Sequence, residues 1–117
     1  MLSLIVGNII TTHQLYVIME PIKIIEAWLN LVCDGEWEHE YGVKIETSDN
    51  PGWIVSIDVA NTLLENTDFH SYTSSKLGRQ AIICDVRDNV FIASCGIGDL
   101  TEILTRFCKL IREFYDV

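Results

Sequence analysis

The chain has 117 residues, of which 49% are hydrophobic and 21% are charged, a mixture typical of one globular domain and unlike that of disordered or collagenous chains. Its 17 acidic and 8 basic residues give a formal charge of −9. That charge argues against a nucleic acid or an anionic membrane surface as the partner, because both are themselves negative. The negative charge is typical of a soluble protein or of one with a basic partner.

The first eighteen residues are apolar but interrupted by polar side chains, and no run reaches the roughly 20 residues that span a bilayer. No Lys or Arg precedes Lys23, so the basic start of a signal peptide is missing. Met19, just before an amphipathic segment, is a reasonable natural start. We therefore predict an N-terminal extension, residues 1–18, that is non-native, loosely ordered or an added strand, and a single domain over residues 19–117.

The domain begins with a helical spacing of apolar residues over residues 21–33, and Asp34-Gly35 provides the break after it. Two alternating strands follow, residues 43–48 and 53–59, around the turn sequence Asp49-Asn50-Pro51-Gly52. An odd loop length pairs Thr47 with Trp53 and Ile45 with Val55, so that both apolar rows face one core. We predict that odd loop.

Residues 60–79 are polar and predict at most a short edge strand over residues 69–73. A second hairpin follows around Asp88-Asn89, and a two-residue turn pairs Val86 with Phe91. Its outer row is unusually apolar, which leaves the oligomeric state open: residues 1–18 or a second copy of the chain would cover it. This row contains Ile83, Val90 and Ile92.

The last element is an amphipathic helix over residues 100–114, preceded by a capping-box pattern in which Asp99 is the cap. Glu102 and Arg106 stand four residues apart on its exposed side. The order of helix, strands and helix predicts an α+β domain in which an antiparallel meander of four or five strands packs against an N-terminal and a C-terminal helix.

The residues give little support for catalysis or metal binding. Four cysteines, Cys33, Cys84, Cys95 and Cys108, lack metal-ligand spacing, and we expect them to be reduced thiols packed as small hydrophobic groups. No phosphate-binding glycine loop or nucleophile elbow occurs. We therefore assign no catalytic, cofactor-binding or metal-ligating residue.

An acidic and aromatic segment at residues 34–42 is the most distinctive feature. It has three interpretations: a solvated loop with Trp37 in the core, an enzyme site built on carboxylates, or a binding epitope in which aromatic anchors lie among charges that attract a basic partner. Trp53 would be a core residue or would join this patch at one end of the sheet. As partner-binding candidates we take Asp34, Glu36, Trp37, Glu38, His39, Glu40, Tyr41, Asp49, Asn50 and Trp53.

Two runs, W-E-H-x-Y-G at residues 37–42 and D-N-P-G-W at residues 49–53, resemble the immunity protein 53 family of bacterial polymorphic toxin systems. The resemblance covers about residues 20–115 and is weaker in the second half. Residues 1–18 have no counterpart in the family. Gly96-Ile97-Gly98-Asp99 stands where the family has a Gly-Pro-Asn-like turn.

The resemblance implies a small cytosolic α+β protein that is encoded beside a toxin gene and binds the cognate toxin domain. We expect a non-enzymatic inhibitor without a cofactor, whose acidic surface covers the groove of a basic toxin such as a nuclease. Glu36, Glu38 and Glu40 are the expected charged contacts, with His39 and Tyr41 as anchors. The alternatives are a small hydrolase or metal-dependent enzyme that uses the acidic segment, and a regulatory domain with an apolar ligand pocket.

Overall fold

The computed structural model describes residues 21–117 and the backbone of residues 3–5 and 8–10. The strands Ser3–Ile5 (β1) and Asn8–Ile10 (β2) pair with each other in a separate antiparallel sheet. The prediction for the rest of residues 1–18 lies outside the described residues.

The domain combines two long helices, one single-turn helix and five strands, so the predicted α+β class is confirmed. The acidic segment, expected to be a loop, contains the single-turn helix. In chain order the elements are Pro21–Val32 (α1), Trp37–Glu40 (α2), Val43–Ser48 (β3), Gly52–Asp58 (β4), His70–Thr73 (β5), Ile82–Arg87 (β6), Val90–Gly96 (β7), the 3-10 turn Ile97–Asp99 and Leu100–Phe114 (α3).

The five strands form one antiparallel sheet in the order β3-β4-β7-β6-β5. This order differs from a continuous meander. Residues 59–69 carry the chain from β4 to β5 at the opposite edge, and β7 then returns to lie between β4 and β6. The last strand in the chain is therefore central in the sheet.

The hairpin registers agree with the sequence patterns. Thr47 pairs with Trp53 across the first hairpin, and Val86 pairs with Phe91 across the second. Gly52 is required at the first turn because a Cβ atom there would lie 2.2 Å from the carbonyl oxygen of Cys95. Both predicted registers are thus confirmed.

The core lies between the helices and one face of the sheet. Trp28 from α1 is fully buried, and its ring meets that of Phe107 from α3 edge to face at a centroid distance of 5.2 Å. Ile45 was expected in this core, but it is 39% exposed. It keeps its partner Val55, which is buried, but β3 is one of the two edge strands, and the core does not cover its side chain.

The start of α3 differs from the predicted capping box. Asp99 occupies the N-cap position, but its side chain makes no capping hydrogen bond and instead forms an ion pair with Arg79. Arg106 Nε donates to Glu102 at 2.9 Å, as expected, yet the Arg106 side chain is only 15% exposed. The expectation that this pair lies on an exposed side is therefore wrong for the arginine.

Three of the cysteines, Cys84, Cys95 and Cys108, are buried in the core as small apolar groups. Cys33, just after α1, is exposed, so the packing prediction is wrong for that thiol.

Candidate functional site

The acidic segment is ordered by its own carboxylates. The Asp34 carboxylate accepts hydrogen bonds from the backbone N–H groups of Glu36 at 3.0 Å and Trp37 at 2.9 Å, at the start of α2. Glu38 accepts from the N–H groups of Asp34 and Gly35 at 3.1 and 2.8 Å. The N–H groups of Trp37 and Glu36 lower the pKa of Asp34 because they stabilise its charged form.

The buried side chain of Trp37 anchors the acidic segment to the core. It is 5% exposed, and its Nε1 donates to the carbonyl oxygen of Ala60 at 2.9 Å. Its ring meets Trp28 edge to face at 6.0 Å. Of the predicted contact residues, Trp37 is thus a buried anchor of the segment, and the polar side chains of α2 point outward from it.

Tyr41 lies where the acidic segment joins the sheet. The Gly42 N–H donates to Asp58 Oδ2 at 2.9 Å, and the Asp58 N–H donates to the Gly42 carbonyl at 3.0 Å. A hydrogen bond to Glu40 raises the pKa of Tyr41, and partial burial and the charges of Glu40, Asp58 and Glu65 act in the same direction. Carboxylates from three separate segments therefore disfavour the charged form of one half-buried tyrosine.

Two open clefts flank α2. One, of about 450 Å³, lies against β3 and β4, and the other, of about 460 Å³, lies toward Asn61. Glu40 and Tyr41 line both clefts, whereas Glu36 lines the second, and Glu46 and Asp58 line the first. We define the acidic surface as Glu36, Glu40, Tyr41, Glu46, Asp58 and Glu65.

Sequence reasoning overlooked Glu46, Asp58 and Glu65 because they lie outside the acidic run. The available signal was the register of the first hairpin. It brings the end of β4, and with it Asp58, beside the start of β3, where the acidic segment enters the sheet.

The other predicted contacts lie far from α2. Asp49, Asn50 and Trp53 are at the opposite end of the first hairpin, about 13–20 Å from Val43 along the strand, although Glu46 of the acidic surface lies beside this end. Trp53 is half-buried against the core, and its Nε1 donates to the carbonyl of Ile97 at 2.9 Å. The structure therefore separates the candidates into two groups, and Trp53 does not join the acidic patch.

The described residues include no group of three or more His, Cys, Asp or Glu side chains placed to hold a metal ion. No helix within the described part of the chain is long and apolar enough to cross a membrane. In the acidic segment, Asp34 and Glu38 accept hydrogen bonds from backbone N–H groups, which accounts for their placement without a substrate.

Comparison with curated proteins and with solved structures gives no match. The sequence profile of the immunity protein 53 family, in contrast, matches residues 22–112. This range runs from α1 into the last turn of α3 and includes the whole sheet and the acidic surface. The chain therefore belongs to the immunity protein 53 family.

Proposed function

We propose that this chain neutralises a cognate toxin of a bacterial polymorphic toxin system by binding the toxin domain through the acidic surface. The toxin surface that it covers is basic, as the substrate groove of a nuclease is, and the two proteins meet in the cytoplasm. Membership of the immunity protein 53 family supports the neutralising role. The observation that carries the choice of surface is the cleft that Glu40, Tyr41, Glu46 and Asp58 line together.

The acidic surface suits a binder that performs no chemistry. Backbone N–H groups donate hydrogen bonds to the carboxylates of Asp34 and Glu38 and hold α2 in place before any partner arrives, so little ordering entropy is lost on association. Exposed carboxylates accelerate the encounter with a basic protein. Tyr41 offers a half-buried ring with a polar edge, which is a common kind of interface anchor.

We propose three glutamates as the charged contacts. Glu38 shapes the turn, so Glu36 and Glu40 remain from the expected set, and Glu46 joins them from β3. His39 and Tyr41 stay the proposed anchors. An interface of ordinary size, about 800 Å² per partner, is wide enough to reach Asp49 and Asn50 as well.

The test is the triple variant Glu36→Gln/Glu40→Gln/Glu46→Gln, measured against the toxin domain encoded beside this gene, produced in an inactivated form. We expect association to be about tenfold slower at low salt, because three steering charges are lost, and this difference to shrink as salt screens them. Surface plasmon resonance over a range of salt concentrations measures both effects. Growth of cells that produce the active toxin should be protected less well.

The matched control is Asp68→Asn/Glu113→Gln/Asp116→Asn, which removes the same charge from exposed positions elsewhere. Equal slowing by both triples would assign the effect to net charge and remove the acidic surface from the proposal. Failure of the unaltered protein to protect toxin-producing cells would contradict the proposed function itself.

A further inference from the structure

The sheet has a second face that neither long helix covers. The buried apolar residues of β4, β6 and β7 face the helices, and the residues between them in sequence, the buried Asp85 included, point the other way. The pairing register places one residue from each strand side by side across this outer face. That row reads Glu46, Ile54, Ser94, Ile83 and Tyr72.

Large apolar side chains are concentrated on this face. Ile54 is 37% exposed, Ile83 36% and Tyr72 59%. Ile92, at 44%, lies in the next row of residues, diagonally between the first two. We call these four residues the outer strip. Exposed apolar side chains that stand on neighbouring strands of one sheet face are a feature of interaction sites.

A preoriented polar pair lies beside the outer strip. Asp85 pairs with Ile92 across the sheet and is only 7% exposed, and its carboxylate bonds to Nδ1 of His70. Arg87 Nη2 lies 3.5 Å from the same carboxylate. Because Asp85 occupies Nδ1 and the His70 side chain is 66% exposed, Nε2 is the ring nitrogen presented to a partner. A fixed polar group in an apolar patch gives an interface its orientation.

The outer strip continues into the acidic surface. Glu46 stands opposite Ile54 in the same row, and Asp58 pairs with Val90 on the same face. Lys44, which pairs with Ser56, is the cation of β3 on this face, where the carboxylates outnumber it. A second copy of the chain is a poor occupant, because two molecules of formal charge −9 repel each other. A basic partner is attracted to the acidic edge and meets the apolar strip next to it.

We infer that the outer strip is the centre of the toxin interface and that the acidic surface is its edge. The toxin accordingly presents an apolar patch bordered by basic residues. This inference rests on the proposed function, and it adds that most of the binding energy comes from contacts with the outer strip. It assigns a contact role to Tyr72 and His70, which lie outside the acidic segment.

The test compares Ile92→Thr with Ile45→Thr. Both remove apolar contact while keeping a β-branched side chain, and the two isoleucines are 44% and 39% exposed on opposite faces of the sheet. For Ile92→Thr we expect the dissociation constant of the inactivated toxin domain to rise about fivefold or more, chiefly through faster dissociation. Ile45→Thr should stay within about twofold.

A second measurement uses the unaltered protein. Hydroxyl-radical labelling of the Tyr72 ring should be strong in the free chain and should fall several-fold when the toxin domain is added. This readout does not depend on whether any variant folds.

Several outcomes would overturn the inference. Unchanged affinity for Ile92→Thr with Tyr72 still labelled, while the acidic triple weakens binding, would leave the proposed function standing without the outer strip. A dimer in light scattering that Ile92→Thr dissociates, with toxin affinity unchanged, would assign the strip to a second copy. Labelling of Tyr72 that is weak in the free chain and rises when residues 1–18 are deleted would assign it to those residues.

Discussion

At the scale of single residues, Asp34 and Glu38 show that a carboxylate in an acidic segment can stabilise the local backbone whether or not a partner is bound. Each accepts two backbone hydrogen bonds within a segment that contains two further glutamates. The bonds to Asp34 satisfy N–H groups at the start of α2 that have no partner within the helix, and those to Glu38 fix the turn before it. Neutralising Asp34 or Glu38 would therefore alter the shape of the acidic segment as well as its charge.

We predict that Asp34→Ala lowers the melting temperature near pH 7 and that this effect disappears in acid. The folded pKa of Asp34 is lowered, so its contribution is present above the unfolded value, near 3.8, and is lost as pH falls through the folded value. Circular dichroism melts between pH 2 and 7 measure this. Asp34→Asn keeps one acceptor oxygen, so its melting temperature near pH 7 should fall less than that of Asp34→Ala. An Asp34→Ala difference that is constant over this range would contradict the prediction.

The buried thiols predict a loss of stability in alkali. Burial raises the pKa of Cys84 and of Cys108 from 9.0 to about 11, because the charged thiolate is poorly solvated in the core. The unfolded chain ionises first, so the contribution to stability is full below pH 9 and is lost as pH rises to about 11.

Urea unfolding of the unaltered protein and of Cys84→Ala/Cys108→Ala from pH 8 to 11 tests this. We expect the decline in unfolding free energy to be shallower in the variant, whatever its stability at pH 8. Cys33→Ser, at the exposed thiol, is the matched control and should change the slope less, although partial burial and the charges of Glu38 and Asp34 also raise the pKa of this thiol. Parallel curves for all three proteins would count against the prediction.

At the scale of elements, Arg106 joins α3 to the edge strand β5. Its Nη1 donates to Ser71 and its Nη2 to Thr73, each at 2.9 Å, while Nε holds Glu102. Within the sheet β5 pairs with β6 alone, so the hydrogen bonds from Arg106 attach this strand to the domain a second time. They also keep the strand that carries His70 and Tyr72 in register beside the outer face.

We predict that Arg106→Met destabilises the protein by about 1–3 kcal/mol, since hydrogen bonds from a charged group are lost while the apolar stem is kept. Amide hydrogen exchange should accelerate most in β5. Arg112→Met, on an exposed arginine of the same helix, is the control. Exchange that accelerates equally in all strands, or not at all in β5, would show that the hydrogen bonds from Arg106 are not what holds this edge.

Elements with strong local patterns could be predicted from the sequence. The alternation on both sides of each turn fixed which residues pair, and a one-residue slip would have buried the polar rows. The ion pair of Asp99 could not be predicted, because its partner Arg79 lies 20 residues away in the sequence. Arg79 competes with the N–H groups of the helix for the carboxylate oxygens of Asp99. The helix α2 is too short for any periodicity to appear.

At the scale of the whole molecule, the fold class followed from the order of elements, but the strand order did not. No local pattern indicates that residues 59–69 cross to the opposite edge, or that β7 inserts beside β4. The candidate site was predicted only in part, because it too depends on contacts between residues that are distant in the sequence. Its segment was visible as an acidic run, while Glu46 and Asp58 became neighbours of Tyr41 only through the sheet. The boundary at residue 19 stays a prediction.

The central position of β7 has a consequence for the timing of synthesis. The first hairpin and the β5–β6 pair are joined only through Val90–Gly96, so they share no strand-to-strand bonds until that strand has been synthesised and has left the ribosome. A message cut short before this point yields two disconnected hairpins without a common core. Under the proposed function, a producing cell is shielded only by finished copies, so synthesis of the antidote must run ahead of that of its poison.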